Sequence, residues 1–305
     1  MWNPGNHTVV LGAEAQKAKV TSTIDYFDYG IYLGPEDNEE QNWAVYLNDT
    51  IQWGNFSITP GVRYDDLDFA DNRLSPSFGL TYKLSSHTLL RGVVARGFRK
   101  PTIGLTQPNV IDEAYGYQVS NPKLEAEEVN SFQVGLETSA MGWCWLKGTF
   151  FLHQVDNAWV ADPATDIWYN DGKSLHKGVE GEIKTVPWHD LSLQVNATYV
   201  HIDPDAEPSD TQWVTNVMLR YDDPQLFTVQ LLGHYVNYGP FGAQVSGSDE
   251  DMIWDLHLSK TIPIREKQSI ELFGIGHNLF NGRQTWIKTR PNPDRWFEVG
   301  ARLLF

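Results

Sequence analysis

Hydrophobic and polar residues alternate along most of this chain with a period of two, the repeat of a β-strand whose successive side chains point to opposite faces. The closing segment has Phe297, Val299, Ala301, Leu303 and Phe305 on one face and Trp296, Glu298, Gly300, Arg302 and Leu304 on the other. Residues 191–199 are as regular, with Leu191, Leu193, Val195, Ala197 and Tyr199 opposed to Ser192, Gln194, Asn196 and Thr198. Residues 43–53 set Trp43, Val45, Leu47, Ile51 and Trp53 on one face, interrupted by Asp49. Residues 56–65 repeat the pattern with Phe56, Ile58, Val62 and Tyr64. Segments 215–221, 227–235 and 254–258 follow it too. Counting such segments predicts an all-β chain of about fourteen strands with no helix.

The connections add a second pattern. Short turns are expected at Gly54-Asn55, Ser85-Ser86, Met141-Gly142, 187–189, 222–224 and 263–267. Between them fall long polar stretches at 20–41, 97–128, 157–173, 203–211, 239–250 and 281–294, with only 67–72 brief. A sandwich or propeller has no reason to keep every second connection short. An antiparallel transmembrane β-barrel does, with turns on one side of the membrane and loops on the other.

Composition agrees. The chain has 305 residues, of which 41% are hydrophobic, yet no apolar run approaches a membrane helix. Barrel strands need to show lipid only every second residue. Aromatics reach 13%, with 12 Trp and 13 Tyr, as expected where two interfacial girdles are built. A formal charge of −16 argues against nucleic acid as a partner. The single cysteine, Cys144, excludes an internal disulfide and a Cys-based zinc site, and its neighbours Trp143 and Trp145 suit a packed or lipid-facing thiol. Residues 1–5 (MWNPG) have no signal-peptide character, so the chain is expected to be part of a longer one.

Chemistry-bearing motifs are absent: there is no G-x-S-x-G, H-E-x-x-H or phosphate loop. The nine histidines lack metal-ligand spacing, and Asp249-Glu250-Asp251 reads as solvated surface before it reads as a calcium site. No catalytic residue, metal or cofactor is therefore expected. An outer-membrane barrel phospholipase or protease is the competing enzyme class, without a Ser/His/Asp set to support it. A small passive porin or fatty-acid channel is the other competitor, since about fourteen strands can enclose an aqueous lumen.

Several stretches, in order, resemble the TonB-dependent outer-membrane transporters. These are RGFRKPT (96–102), NPKL (121–124) with the acids through 128, SFQVGLE (131–137), KGVEGEI (177–183), HNLFN (277–281) and VGARLLF (299–305). FSITPGVRY (56–64) and SPSFGLTY (75–82) are similar to the family's mid-barrel hairpins. The resemblance implies a barrel of 22 strands preceded by a plug and a TonB box, of which this chain is similar to the C-terminal two-thirds, starting with a strand at 7–15. It implies the outer membrane of a Gram-negative cell, no enzymatic activity, and a bulky nutrient as cargo. A ferric siderophore is the leading candidate and cobalamin the competitor, with the TonB complex engaged only through a plug. A truncated, non-transporting remnant is the alternative within the family.

Candidate ligand contacts are the rings on the two largest expected loops: Tyr115, Tyr117, Trp159, Trp168 and Tyr169. An outer-girdle role for some of them is the alternative. Phe297, Val299, Ala301, Leu303 and Phe305 form the expected signal for the barrel-assembly machinery. Arg96 and Arg99 are placed at the lumen mouth, where they pair with plug or loop acids. Gly135, Gly178, Gly181 and Gly300 let strands bend and large neighbours pack.

Overall fold

A computed structural model describes residues 2–27, 30–107, 120–203, 211–223, 225–237, 251–265, 268–284 and 292–305. It contains fourteen strands in one sheet whose hydrogen-bonded order is the sequence order, β1 to β14. They are β1 (His7–Tyr26), β2 (Ile31–Trp53), β3 (Phe56–Asp66), β4 (Arg73–Ser85), β5 (Thr88–Arg99), β6 (Glu127–Thr138) and β7 (Cys144–Ala161). The second half supplies β8 (Trp168–Thr185), β9 (Leu191–Asp203), β10 (Thr211–Asp223), β11 (Phe227–Asn237), β12 (Ile253–Arg265), β13 (Gln268–His277) and β14 (Trp296–Leu304). The expected short turns at 54–55, 85–86, 141–142 and 187–189 join neighbouring strands; those at 222–224 and 263–267 include residues outside the described set. At Gly54-Asn55, Gly54 has φ of +59°, a conformation that a two-residue hairpin turn requires and glycine adopts at no steric cost.

Contacts divide the chain into two compact units. One comprises 1–83, 91–134 and 152–176; the other comprises 84–90, 135–151 and 177–305. Both are inside-out relative to a water-soluble domain. Among the described residues only eight hydrophobic side chains and Pro101 are buried, while Leu11 is 75% exposed and Val299 87% exposed. In the first unit Leu11, Val45, Leu47, Phe56, Val62, Leu74, Phe78 and Leu80 are all exposed, at alternate positions of β1–β4. A soluble sheet would hide that face.

Polar satisfaction lies on the opposite face. In the second unit, Asn216 Nδ2 donates to Asn196 Oδ1 at 2.9 Å, and Asn216 Oδ1 lies 2.6 Å from His234 Nδ1, a ladder across β9, β10 and β11. Gln194 and Lys184 meet Glu182 on β8 at 3.3 and 2.8 Å.

Aromatic rings lie over glycines directly opposite them. Tyr46 covers Gly12, Trp254 covers Gly233, Phe273 covers Gly300 and Phe297 covers Gly276, each pair in cross-strand register. A ring folded over a strand glycine restores the surface that the glycine lacks. Gly178 is more constrained, wedged between the Tyr199 carbonyl and the buried Phe151 ring. Gly181 departs from expectation, because nothing lies within 4 Å of its missing Cβ.

Three further expectations need correction. Residues 20–41 are mostly strand: β1 and β2 stay paired past the apolar stripe as a polar hairpin, with one register shift between Ser22 and Ile24. Lys17 pairs with Glu39 and Lys19 with Asp37, both at 2.8 Å, so two charged rows replace the apolar one. Likewise β7 runs to Ala161 and β8 begins at Trp168, leaving 162–167 as a turn in place of a loop over 157–173. A single helical turn, α1 (Ile103–Thr106), occurs where no helix is expected. Cys144 is buried, as its Trp neighbours suggest.

Candidate functional site

The long-connection ends of β2 to β8, all within the first unit, carry ion pairs, and in four of them the acid is covered and the base presented. Glu40, Asp65 and Glu127 are buried. Their cationic partners Lys100, Arg63 and Arg99 have side chains 31%, 37% and 63% exposed. Arg63 grips Asp65 through Nε at 2.9 and 3.0 Å and Nη2 at 2.8 Å, and reaches Glu14 at 3.1 Å. Lys100 pairs with Glu40, and Arg99 Nε meets Glu127 Oε2 at 2.5 Å. Arg96 pairs with Glu128, whose other oxygen lies 3.7 Å from Arg73.

A buried carboxylate without a partner would be costly, so each acid fixes the base in front of it. These pairs set five acids against five bases; the side chains of Arg63, Arg96, Arg99 and Lys100 are 31% to 63% exposed, while Arg73 is covered and Glu14, at 59%, is the one open acid. A cleft of about 190 Å³ opens in it, lined among others by Asn42, Trp43, Arg63, Phe98 and Lys100. An anionic, aromatic ligand would meet the cations Arg63 and Lys100 and the rings of Trp43 and Phe98 there, beside the Glu14 and Asp65 carboxylates that Arg63 pairs.

The sequence-derived candidates separate. Tyr115 and Tyr117 lie outside the described residues. Trp159 is held by the protein itself: its backbone N–H donates to Glu127 Oε1 and its indole N–H to the Glu125 carbonyl, both at 2.8 Å. The Arg99 guanidinium stacks 4.3 Å from the Trp159 ring centroid. Trp168 and Tyr169 are more open, 36% and 37% exposed at the start of β8. Arg96 and Arg99 do pair with acids, namely the two that open β6. Sequence reasoning missed Arg63, Asp65, Glu40 and Lys100. The spacing of Arg63 and Asp65, two apart on one strand face, was the available signal.

Beyond the apolar stripe, the β1–β2 hairpin is electrostatically tuned. Hydrogen bonds from Lys19 and Thr21 hold the Asp37 carboxyl below the usual carboxylate range, and Asp37 raises the Lys19 ammonium in turn. At the long-connection end of β9, Lys177 and His201 lower Asp203. Among the described residues no group of three or more His, Cys, Asp or Glu is arranged to hold a metal ion. Asp251 instead accepts from the Arg283 N–H at 3.0 Å, while residues 249 and 250 lie outside the described set.

The family model for the TonB dependent receptor-like β-barrel matches residues 2–275. The chain belongs to that family. It is 31% identical over 183 residues to the ferric enterobactin receptor PirA of Pseudomonas aeruginosa, covering 52% of this chain and 24% of the relative. It is 25% identical over 208 residues to the vitamin B12 transporter BtuB of Vibrio vulnificus, covering 67% of this chain and 30% of the relative. Among solved structures, the siderophore receptor PirA of Pseudomonas aeruginosa superimposes with a TM-score of 0.75 at 24% identity over 98% of this chain. The ferric enterobactin receptor PfeA of the same organism gives 0.69 at 18%. These likenesses fix the fold as that of TonB-dependent transporter barrels. The chain spans about half the length of those structures, 51% in each case.

Proposed function

We propose that the protein carrying this chain is an outer-membrane transporter that captures an anionic ferric siderophore and releases it inward in a TonB-dependent step. On this reading the exposed apolar face of β1–β14 meets lipid, the short turns face the periplasm and the long connections face outside. The alternate apolar residues Phe297 to Phe305 serve as the mark read by the barrel-assembly machinery.

The observation that carries the choice of ligand class is the presented layer of Arg63, Arg96, Arg99 and Lys100 over covered acids. A ferric complex of three catecholates is negatively charged and aromatic, and guanidinium groups bind such oxygens in charge-assisted pairs and stack on rings. The relatives named as ferric enterobactin receptors support the same ligand class. Cobalamin, suggested by the BtuB likeness, offers no comparable negative charge to that layer.

Tryptophan-fluorescence titration of the purified protein tests this with a ferric tris-catecholate, the iron-free catecholate and cyanocobalamin. The ferric complex should bind tightest, and Arg99→Ala plus Lys100→Ala should weaken it by about tenfold or more, as expected when charge-assisted hydrogen bonds are removed. Tighter binding of cyanocobalamin, unaffected by those substitutions, would transfer the protein to the other ligand class.

A further inference from the structure

We propose that Trp159, Asn170 and Asn121 are positioning residues that latch the base of the connection between β5 and β6 onto the β7–β8 hairpin, so that the two move as one body. The proposal rests on the transport reading only for its consequence, not for the latch itself.

The base of that connection is tied at both ends. The Asn121 N–H donates to the Leu105 carbonyl at 2.7 Å, bringing residues 120–126 against α1. Thr106, Ser120, Leu124 and Ala126 are all buried there, with Thr106 and Ala126 fully so. This small core then meets the hairpin. Asn121 Nδ2 donates to the Trp168 carbonyl at 2.8 Å. Asn170 Oδ1 accepts from the Glu125 N–H at 2.8 Å, while its Nδ2 donates to the carbonyls of Glu125 at 3.1 Å and Asn157 at 2.8 Å.

An amide is the group suited to that site, because one face of it must accept and the other donate. Trp159 adds its two bonds to Glu125 and Glu127 and lies under Arg99, which is itself tied to Glu127. Five hydrogen bonds (from Asn121, Asn170, Trp159 and Glu125) therefore cross between segments more than thirty residues apart in sequence. A loop held only by its own ends would have none. Trp159 thus acts through the frame.

Hydrogen exchange by mass spectrometry on the purified protein in detergent, without ligand, reads the latch directly. Asn170→Asp keeps the oxygen that accepts from the Glu125 N–H and removes the donor. Trp159→Phe keeps a ring beneath Arg99 and removes the indole N–H. Each should raise exchange within 120–127 by about tenfold, the shift expected for one or two lost hydrogen bonds, and leave the β1–β2 hairpin unchanged. Uptake should then show a raised half-saturation concentration at an unaltered maximal rate.

Unchanged exchange in 120–127, or an equal rise in the β1–β2 hairpin, would overturn the latch. Raised exchange with unaltered half-saturation would overturn its positioning role. If the wild type takes up no siderophore, the transport reading fails while the exchange result still judges the latch.

Discussion

Arg63 is the most informative residue to remove from the rim. Its guanidinium makes three contacts of 2.8 to 3.0 Å with Asp65, whose side chain is 7% exposed, and two more of 3.1 Å with Glu14. At an effective dielectric of about 20, opposite charges roughly 3 Å apart attract by about 6 kcal/mol. Desolvation of Asp65 takes back much of this. Screening takes more, since the Arg63 side chain is 37% exposed.

About 2 kcal/mol remains, and Arg63→Ala should destabilise the protein by that amount because the buried carboxylate loses its partner. Asp65→Asn in the Arg63→Ala background should recover at least half of the loss, because a neutral amide is cheaper to bury unpaired than a carboxylate. Denaturant unfolding of the detergent-purified protein, followed by the gel shift between folded and heat-denatured forms, gives all four corners of the cycle. If Arg63→Ala costs under about 0.5 kcal/mol, as for an ordinary surface pair, the layered-charge description of the rim is wrong.

Other consequences are simpler. Gly178→Ala should cost about 1–3 kcal/mol, because the new methyl meets the Tyr199 carbonyl and the buried Phe151 ring, whereas Gly181→Ala should be tolerated; the same unfolding assay compares them. The folded-state pKa of Asp37 is depressed, so its contribution is present above the ordinary carboxylate range, around pH 4, and is lost as pH falls through the folded value. Protection of the β1–β2 hairpin against exchange, taken relative to the intrinsic rate at each pH, should therefore fall at acidic pH, and Asp37→Asn should remove that dependence. Phe305→Ser should lower the amount of heat-modifiable protein in the outer membrane, since the ring ends the apolar row of β14; unchanged levels would dismiss it as an assembly determinant. Protease added to intact cells should cut in the long connections and spare the short turns.

Strand number, pairing order and the inside-out face were legible because strands with one apolar face write their period directly into the sequence, as in β9 and β14. The outer parts of β1 and β2 were not, because that signal ends at the apolar stripe. Beyond it, Lys17, Lys19, Asp37 and Glu39 pair across the strands, and a polar strand read by hydropathy alone resembles a loop. The same limit hid the outer turns of β7 and β8 and turned Trp159 into an apparent loop ring. Arg96 and Arg99 stood out in sequence, but their partners are about thirty residues away. Arg63 with Glu14, and Lys100 with Glu40, needed the registers of β1–β3 and the fold of the rim before they met. Tertiary pairing of this kind leaves no local trace.

The central claim is transport of a ferric siderophore, and uptake of radiolabelled iron bound to a tris-catecholate tests it most directly. Iron-starved cells lacking the gene that encodes this chain should lose TonB-dependent uptake, regain it with the wild-type gene, and regain little with Arg99→Ala plus Lys100→Ala at equal outer-membrane levels. Uptake that is the same with and without the gene, in a host stripped of other siderophore receptors, would contradict the account.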